Sequence, residues 1–273
     1  PRRWARAALA LLAATAGFVA YVQFRKHFFP APIEPTLNDP LPATAGALAK
    51  AQRAFMLWFH QPPLPKDPLN NPFIKADTPH RIAGGLRVFA RGVGQIIVPK
   101  TLSGDYSSPQ EPVPDSLFEP EAILGGLILV LAPIGGVFMW AYRWIREAWL
   151  ERESPRSASF AEQTGPSLLV AVGLVWFVVS FFPHSNIPVL LPTVRAERFW
   201  YFPAIGTSLV LAVFFVWFFE ATKKIWDGSL AIGLFSLFIF FQGGMALRHS
   251  RDYRDDLTFW SATRDAVPNS AKA

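Results

Sequence analysis

Apolar runs of about 20 residues recur along this chain and decide what it can fold into. A run of that length crosses a bilayer as a helix, because backbone polar groups inside a membrane must be hydrogen-bonded within the segment itself. Hydrophobic residues make up 51% of the chain, and Phe and Trp are frequent. The sequence therefore predicts an all-α fold, a polytopic bundle of transmembrane helices.

The predicted spans have clean apolar cores, with the charged residues gathered at their edges. They cover about 4–24, 122–142, 166–182, 202–219 and 230–247. On this basis 1–248 is a membrane domain and 249–273 is a soluble segment. The first run is Ala-rich and follows basic residues, so a cleaved signal peptide is an alternative interpretation of it. In the second run, Pro133 predicts a kink.

The basic residues outside these runs predict an orientation. They cluster at 2–6, 143–156 and 223–224, and the positive-inside rule assigns such clusters to the cytoplasm. Five crossings satisfy all three clusters at once. The segments 25–120 and 183–201 then face outward, together with the C-terminus.

Composition excludes several kinds of chemistry. The formal net charge is +6, which in a membrane protein reflects basic residues beside the spans and does not indicate a nucleic-acid partner. The chain has no cysteine, so disulfides, thiol catalysis and cysteine metal sites are excluded. We predict no metal site and no cofactor.

A further helix is predicted at 81–99, where apolar residues recur at helical spacing. They form one narrow stripe: Ile82, Leu86, Phe89, Val93, Ile96 and Ile97. Arg87 and Arg91 lie on the opposite face with Gln95. Two interpretations are open. The helix lies in the interface with its arginines among lipid headgroups, or it packs on the bundle and directs both arginines at a bound anionic lipid.

The loop between the third and fourth long spans concentrates polar residues at the membrane edge. It contains His184, Asn186, Arg195, Glu197, Arg198 and Tyr201. Ionisable groups are costly at that depth and usually mark a site for a charged ligand. Arg195 and Arg198 are three residues apart, which predicts that a helical turn places them on one face, with Glu197 paired to a nearby arginine. A purely structural ion-pair cluster is the alternative.

The end of the chain predicts one soluble amphipathic helix. Leu257, Trp260, Ala262 and Ala266 have helical spacing, and Pro268 follows. Such a helix is typical of the way a tetratricopeptide repeat ends and leads into the next one. An ordinary capping helix is the alternative.

Three motifs, in this order, resemble those of one family. They are Leu102-Ser103-Gly104-Asp105-Tyr106-Ser107, then Ser185-Asn186 followed by Ala196-Glu197-Arg198-Phe199-Trp200-Tyr201-Phe202-Pro203, and then 260–271. The chain resembles the transmembrane and tetratricopeptide-repeat-containing O-mannosyltransferases and their bacterial relatives. The resemblance extends over nearly the whole chain, although the motifs themselves are short.

The resemblance implies a class C glycosyltransferase fold and an enzyme. Its substrates would be a polyprenyl-phosphate sugar donor, with mannose or a similar sugar, and a protein hydroxyl. In that family the catalytic acidic residues lie in the first outer loop, which we expect upstream of Pro1, so we assign no catalytic residue here. The Ala- and Arg-rich composition is typical of bacteria and implies the inner membrane with a periplasmic active face.

The same resemblance and the charge pattern give a set of candidate site residues. Those expected to bind the donor phosphate are Arg198, Arg195, Arg87 and Arg91. Those expected to support the site are Glu197, Asn186, His184, Tyr201, Asp105 and Tyr106. For Asp105 and Tyr106 a turn that closes the outer face is an equal alternative.

Two other functions compete with the enzyme. A membrane scaffold whose repeats recruit protein partners is the first alternative. A transporter is disfavoured, because transporters place charges near the middle of their spans, whereas here the charges lie at the span edges.

Overall fold

The structure, a computed structural model, describes residues 2–28, 66–153 and 160–272, with isolated residues between 41 and 57. Every regular element in these residues is helical, so the predicted all-α class is confirmed. The chain forms two compact units, Pro1–Pro65 and Lys66–Ala273. Four helices of the described residues are long and apolar enough to cross a membrane.

The first unit contains helix α1 (Arg2–Phe28). This helix includes the first predicted span, 4–24. It is not one of the four helices that meet the length and hydropathy expected of a crossing helix. Its crossing of the membrane therefore stays a prediction.

The second unit contains six further α-helices in its described residues. They are α2 (Thr78–Ile97), α3 (Pro120–Glu153), α4 (Phe160–Phe181), α5 (Tyr201–Trp226), α6 (Ser229–Ser250) and α7 (Asp256–Ala266). Short 3₁₀ turns lie at Pro72–Lys75, Phe182–His184, Glu197–Trp200 and Arg251–Tyr253. The other four predicted spans coincide with α3 to α6.

Helix α3 is longer than the predicted span 122–142. It continues to Glu153, through most of the charged stretch that contains the basic cluster at 143–156. The physical reason is that this stretch is rich in Arg, Glu, Ala, Leu and Trp without Pro or Gly, and such residues continue a helix readily. Pro133 lies inside α3 and does not end it. The remainder of the charged stretch, 154–159, lies outside the described residues.

Helix α2 is fixed at both ends. At its start the carboxylate of Asp77 accepts a hydrogen bond of 2.9 Å from the His80 backbone N–H, which is the usual N-cap arrangement. At its end the Gln242 side chain of α6 donates to the Ile96 and Ile97 carbonyls, both at 3.0 Å. These bonds satisfy carbonyls that the helix itself leaves free. They attach the end of α2 to α6.

An aromatic cluster packs α2 against the bundle. Phe89 of α2 is fully buried with Phe177 and Phe181 of α4 and with Trp200. The Trp200 and Phe181 rings are stacked, with centroids 4.3 Å apart. A Cβ atom on Gly92 would lie 1.6 Å from the Trp200 ring, so only glycine allows this approach. Of the two interpretations of α2, packing on the bundle is therefore the one that the structure supports.

Three segments gather at one end of the helices α3 to α6. The Val194 backbone N–H donates to the Asn70 carbonyl at 3.1 Å, and that of Ala271 donates to the Ser108 carbonyl at 3.2 Å. The segments 66–119, 183–200 and 251–272 therefore lie together, in agreement with the predicted topology, in which they share one side. Residues 249–272 belong to the same compact unit as the four apolar helices.

This arrangement predicts which residues an external reagent can reach. We expect a cysteine at Asp115, an exposed residue at the end where the three segments meet, to react with a membrane-impermeant maleimide applied from the non-cytoplasmic side. A cysteine at Lys224, exposed at the other end, should react only after permeabilisation. The natural chain has no cysteine, so any labelling reports the introduced residue. Labelling of Lys224→Cys from outside would contradict the orientation.

Candidate functional site

A buried carboxylate joins two of the predicted phosphate-binding arginines. Glu111 is fully buried in the segment between α2 and α3. One of its oxygens lies 2.6 Å from Nη1 of Arg91, and the other accepts a hydrogen bond from Nη1 of Arg195. Because a buried charge is costly unless it is paired, each group in this cluster depends on the others.

The arginines of α2 have further partners in the same segment. Arg91 also contacts Glu121, with its Nε donating at 2.8 Å. Arg87 is buried and donates to Glu119 at 2.9 Å and to the carbonyl of Pro112. Both side chains therefore face residues 111–121. Binding of a phosphate or an anionic lipid by them stays a prediction, but the contacts favour a structural role.

The expectation that Arg195 and Arg198 share one helical face is wrong. The 3₁₀ turn begins at Glu197, and Ala196 before it is extended, with φ −155° and ψ 143°. Arg195 lies before this bend and is 9% exposed, with its guanidinium 4.3 Å from the centre of the Tyr106 ring. Arg198 lies after the bend and is exposed. Ala196 therefore separates Arg195, which has a structural role, from Arg198, which is accessible to solvent.

Glu197 does not pair with an arginine, as we had expected, but with a histidine. Its Oε2 lies 3.0 Å from Nε2 of His249, near the end of α6. The other ring nitrogen of His249 lies 2.9 Å from the Asp252 carboxylate. The contact with Glu197 is outside hydrogen-bond geometry, and Nε2 is buried without a hydrogen-bond partner in the described residues.

Tyr106 forms a hydrogen bond with the same glutamate. It is 2% exposed, its hydroxyl donates to Glu197 at 2.9 Å, and Gln95 donates to that hydroxyl at 2.9 Å. Burial raises the pKa of Tyr106, and the charge of Glu197 adds to that effect while Arg195 opposes it. The phenol is therefore a neutral hydrogen-bond donor that holds Glu197 in place.

Asp105 closes a turn and fixes the end of the chain. Its Oδ2 accepts hydrogen bonds from the Ser107 backbone N–H at 2.9 Å and from the Ser270 hydroxyl at 2.8 Å. Burial opposes ionisation of the carboxyl, but these hydrogen bonds outweigh it and lower its pKa. The contacts favour the structural alternative that the sequence analysis left open for Asp105.

Asn186 organises the loop that precedes Arg195. It is 1% exposed and has a positive φ of 61°, a conformation that asparagine tolerates better than most residues. Its Oδ1 accepts hydrogen bonds from Asn71 at 2.8 Å and from the Leu191 backbone at 2.9 Å, and its Nδ2 donates to the Val194 carbonyl at 3.1 Å. Asn186 therefore supports the site by ordering the backbone around it.

His184 lies in the same loop region. Its ring stacks on Phe199, with centroids 4.8 Å apart, and it lies within electrostatic reach of Arg198. This placement is that of a packed loop residue, and His184 does not line the groove described next.

Glu197 and His249 lie in the wall of an open cleft of about 650 Å³, which we call the amphipathic groove. Its lining includes the apolar residues Ile96, Leu102, Trp200, Ala204 and Ala246 and the polar residues Gln95, Gln242, Glu197 and His249. Tyr201, 74% exposed, and Tyr253 also line it. Arg198 follows Glu197 directly in the same 3₁₀ turn but is not itself among the residues that line the groove.

Arg198 differs from the other predicted arginines in its surroundings. It makes no ion pair within the described residues. Its guanidinium carbon lies 5.4 Å from the centre of the Phe199 ring, and none of its N–H groups hydrogen-bonds to an acceptor in the described residues. Arg198 is therefore available to an anion, whereas Arg87, Arg91 and Arg195 are already engaged.

Sequence reasoning did not identify Glu111 or His249, which prove central. The sequence contained one indication of Glu111. Arginines predicted at a protein–membrane edge imply carboxylates that pair with them, and Glu111 lies in the neighbouring segment. His249 pairs with a residue far away in the chain, and nothing local in the sequence indicates that pairing. Among the described residues, no group of His, Asp and Glu side chains is arranged to hold a metal ion.

Comparison of the chain with protein-family models, with curated proteins and with solved structures finds no match.

The buried cluster predicts a large effect of one substitution on stability. We expect Glu111→Gln to lower the free energy of unfolding by about 3–5 kcal/mol, because it leaves Arg91 and Arg195 partly buried without their shared charge. The matched control is Glu121→Gln, at a half-exposed carboxylate, which should cost about 1 kcal/mol or less. Unfolding in detergent micelles measures both, and equal losses would contradict the central role of Glu111.

Proposed function

We propose that this chain is the membrane portion of a glycosyltransferase that takes a sugar from a polyprenyl-phosphate donor. The acceptor is a protein hydroxyl. The donor lies with its polyprenyl chain in the amphipathic groove and its phosphate at Arg198. We further propose a bacterial inner-membrane location, with the site on the periplasmic side.

The composition of the groove supports a lipid-linked ligand. Its lining combines apolar side chains with Gln95, Gln242, Glu197 and His249, and α5 and α6, which contribute to it, are long and apolar enough to cross a membrane. An amphipathic ligand whose apolar chain lies in the bilayer and whose polar head stays at the edge matches this mixed lining.

The observation that carries the proposal is the exposed guanidinium of Arg198, which makes no ion pair in the described residues and follows Glu197 of the groove lining directly in the chain. Arginine presents a planar set of donors that suits phosphate oxygens. In the transfer, the acceptor oxygen bonds to the anomeric carbon as the bond from that carbon to the phosphate oxygen breaks. The phosphate leaves with the electron pair, and the hydroxyl proton passes to water. A fixed cation beside the departing phosphate stabilises the charge that develops there.

Substitution of Arg198 tests the proposal. We expect Arg198→Ala to lower turnover about 10²–10³-fold, which is the usual cost of removing one group that stabilises developing charge. Arg198→Lys should also lose activity if the contact with the phosphate is bidentate. The measurement is sugar transfer from a polyprenyl-phosphate donor, with the full-length protein in nanodiscs.

A matched control separates this effect from a general loss of charge. Arg254→Ala removes an exposed arginine that makes no ion pair in the described residues, and we expect near-normal activity. Thermal stability is measured in parallel. Near-normal activity of Arg198→Ala would overturn the phosphate role, and activity lost only in step with stability would favour a structural one.

A scaffold that recruits protein partners is a second candidate, because one observation favours it. Helix α7 leaves apolar side chains unpacked: Leu257 is 80% exposed and Trp260 is 39% exposed. If this function were the correct one, Arg198→Ala would leave partner binding intact, while Leu257→Ser would abolish it. The repeats themselves stay a prediction.

A further inference from the structure

An exposed stripe runs along one face of α7. It consists of Leu257, Trp260 and Arg264, which recur at intervals of three and four residues and therefore share one side of the helix. Leu257 is 80% exposed and Trp260 is 39% exposed, and Arg264 is exposed as well. We call these three residues the α7 stripe. Its first two members are apolar, and the third is a cation.

The opposite face of α7 holds the helix in place. Phe259 packs where Gly104 has no side chain, since a Cβ on Gly104 would lie 2.1 Å from that ring. Thr263 on the same face is 2% exposed. At the start of the helix, the Asp255 carboxylate accepts a hydrogen bond of 2.8 Å from the Thr258 backbone N–H. Because this face is packed, the α7 stripe stays on the outside of its compact unit.

Helix α7 begins close to the edge of the apolar helices. The apolar span that contains α6 runs from Ser229 to Tyr253, and α7 starts at Asp256. Only two residues, Arg254 and Asp255, lie between them. Even a fully extended chain would therefore place the start of α7 within about 11 Å of the end of that span. When α6 crosses a membrane, α7 lies near the level of the lipid headgroups.

Aromatic side chains connect the α7 stripe to that edge. Tyr201, the first residue of α5, is 74% exposed and lies within electrostatic reach of Tyr253. The ring centroid of Tyr253 lies 5.3 Å from that of Phe259, which in turn lies 5.0 Å from that of Trp260. Tyr and Trp are enriched where a membrane meets water. The aromatic series is thus continuous from the start of an apolar helix to the stripe.

We propose that the surface of the lipid bilayer is the partner of the α7 stripe. Helix α7 lies along the interface, with Leu257 and Trp260 at the boundary between headgroups and acyl chains and with Arg264 extended toward the headgroups. Helices of this kind bind by inserting their apolar face a short way into the membrane. The inference requires that α5 and α6 cross the membrane. It does not depend on the proposed transfer reaction.

The charges around the stripe indicate that apolar contact, and not anionic lipid, drives this binding. Exposed cations and exposed carboxylates are equal in number along α7 and the turn before it: Arg251, Arg254, Arg264, Asp255, Asp256 and Asp265. Their charges cancel, so they give no net attraction to an anionic surface. We therefore expect α7 to lie at the same depth in phosphatidylcholine alone and in a mixture with phosphatidylglycerol.

A spin label at Leu257 tests the inference directly. The chain has no cysteine, so Leu257→Cys gives one site for a nitroxide, and the exposure of Leu257 allows the change without loss of packing. With the full-length protein in nanodiscs, accessibility of the nitroxide to oxygen and to a water-soluble nickel chelate measures its depth. We expect a depth of about 5–10 Å, which is usual for the apolar face of an interfacial helix. Quenching of a bimane at the same cysteine by brominated lipids provides a second measurement.

Two matched labels give the scale for this depth. Asp265→Cys places the nitroxide at another exposed position of α7, outside the stripe, where we expect it to face water and to meet the nickel chelate freely. Phe240→Cys places it at a residue of α6 that is 79% exposed. Because Phe240 precedes the end of α6 at Ser250 by ten residues, it should lie about 15 Å deeper than that end. Thermal stability of each variant is measured in parallel.

Each of three other results would overturn the inference. If the labels at Leu257 and Asp265 meet the nickel chelate equally, the stripe faces water and is free for a soluble protein, as the scaffold function requires. If the Leu257 label is shielded from both reagents and shows dipolar broadening, a second copy of the chain covers it. If the Phe240 label meets the nickel chelate, α6 is not in the membrane. None of these results bears on the phosphate role of Arg198, which the transfer assay tests separately.

Discussion

The pairing of Glu111 with Arg91 and Arg195 is the interaction on which the rest of the site depends. It links the segment between α2 and α3, the helix α2 itself and the loop before α5 through one buried carboxylate. Removing Glu111 leaves Arg195 buried without a carboxylate partner in the described residues, which costs several kcal/mol. Since a pair of this kind is not required for a stable core, we attribute its value here to specificity: it selects one arrangement of three separate segments.

A consequence of this pairing is that the arginines divide into two groups. Arg87, Arg91 and Arg195 are paired with carboxylates. The extended backbone of Ala196 changes the direction of the chain between Arg195 and Arg198, and Arg198 is exposed. Glu197 contacts Tyr106 and His249, so the 3₁₀ turn that carries Arg198 is fixed at its first residue. Preorganised charge is the arrangement that stabilises a developing anion without reorganisation during the reaction.

Much of the fold could be predicted from the sequence, because hydropathy and helical periodicity are local. Four spans, α2 and α7 all appear where these patterns indicated, and the sharing of one side by the outer segments follows from the charge distribution. The site could be predicted only in part. The phosphate role of Arg198 stays a prediction, Glu197 pairs with His249 and not with an arginine, and the bend at Ala196 separates Arg195 from Arg198. Glu111 and His249 take part through contacts between distant segments, which periodicity does not reveal.

The most direct test of the central claim is an experimental structure of the full-length protein with polyprenyl phosphate bound. We expect the phosphate within hydrogen-bond distance of the Arg198 guanidinium, about 3 Å, with the polyprenyl chain between Trp200 and Ala246 and with Glu111 still bound to its two arginines. A phosphate bound instead to Arg91 or Arg195, with Glu111 displaced, would contradict the division of the arginines into structural and ligand-binding groups.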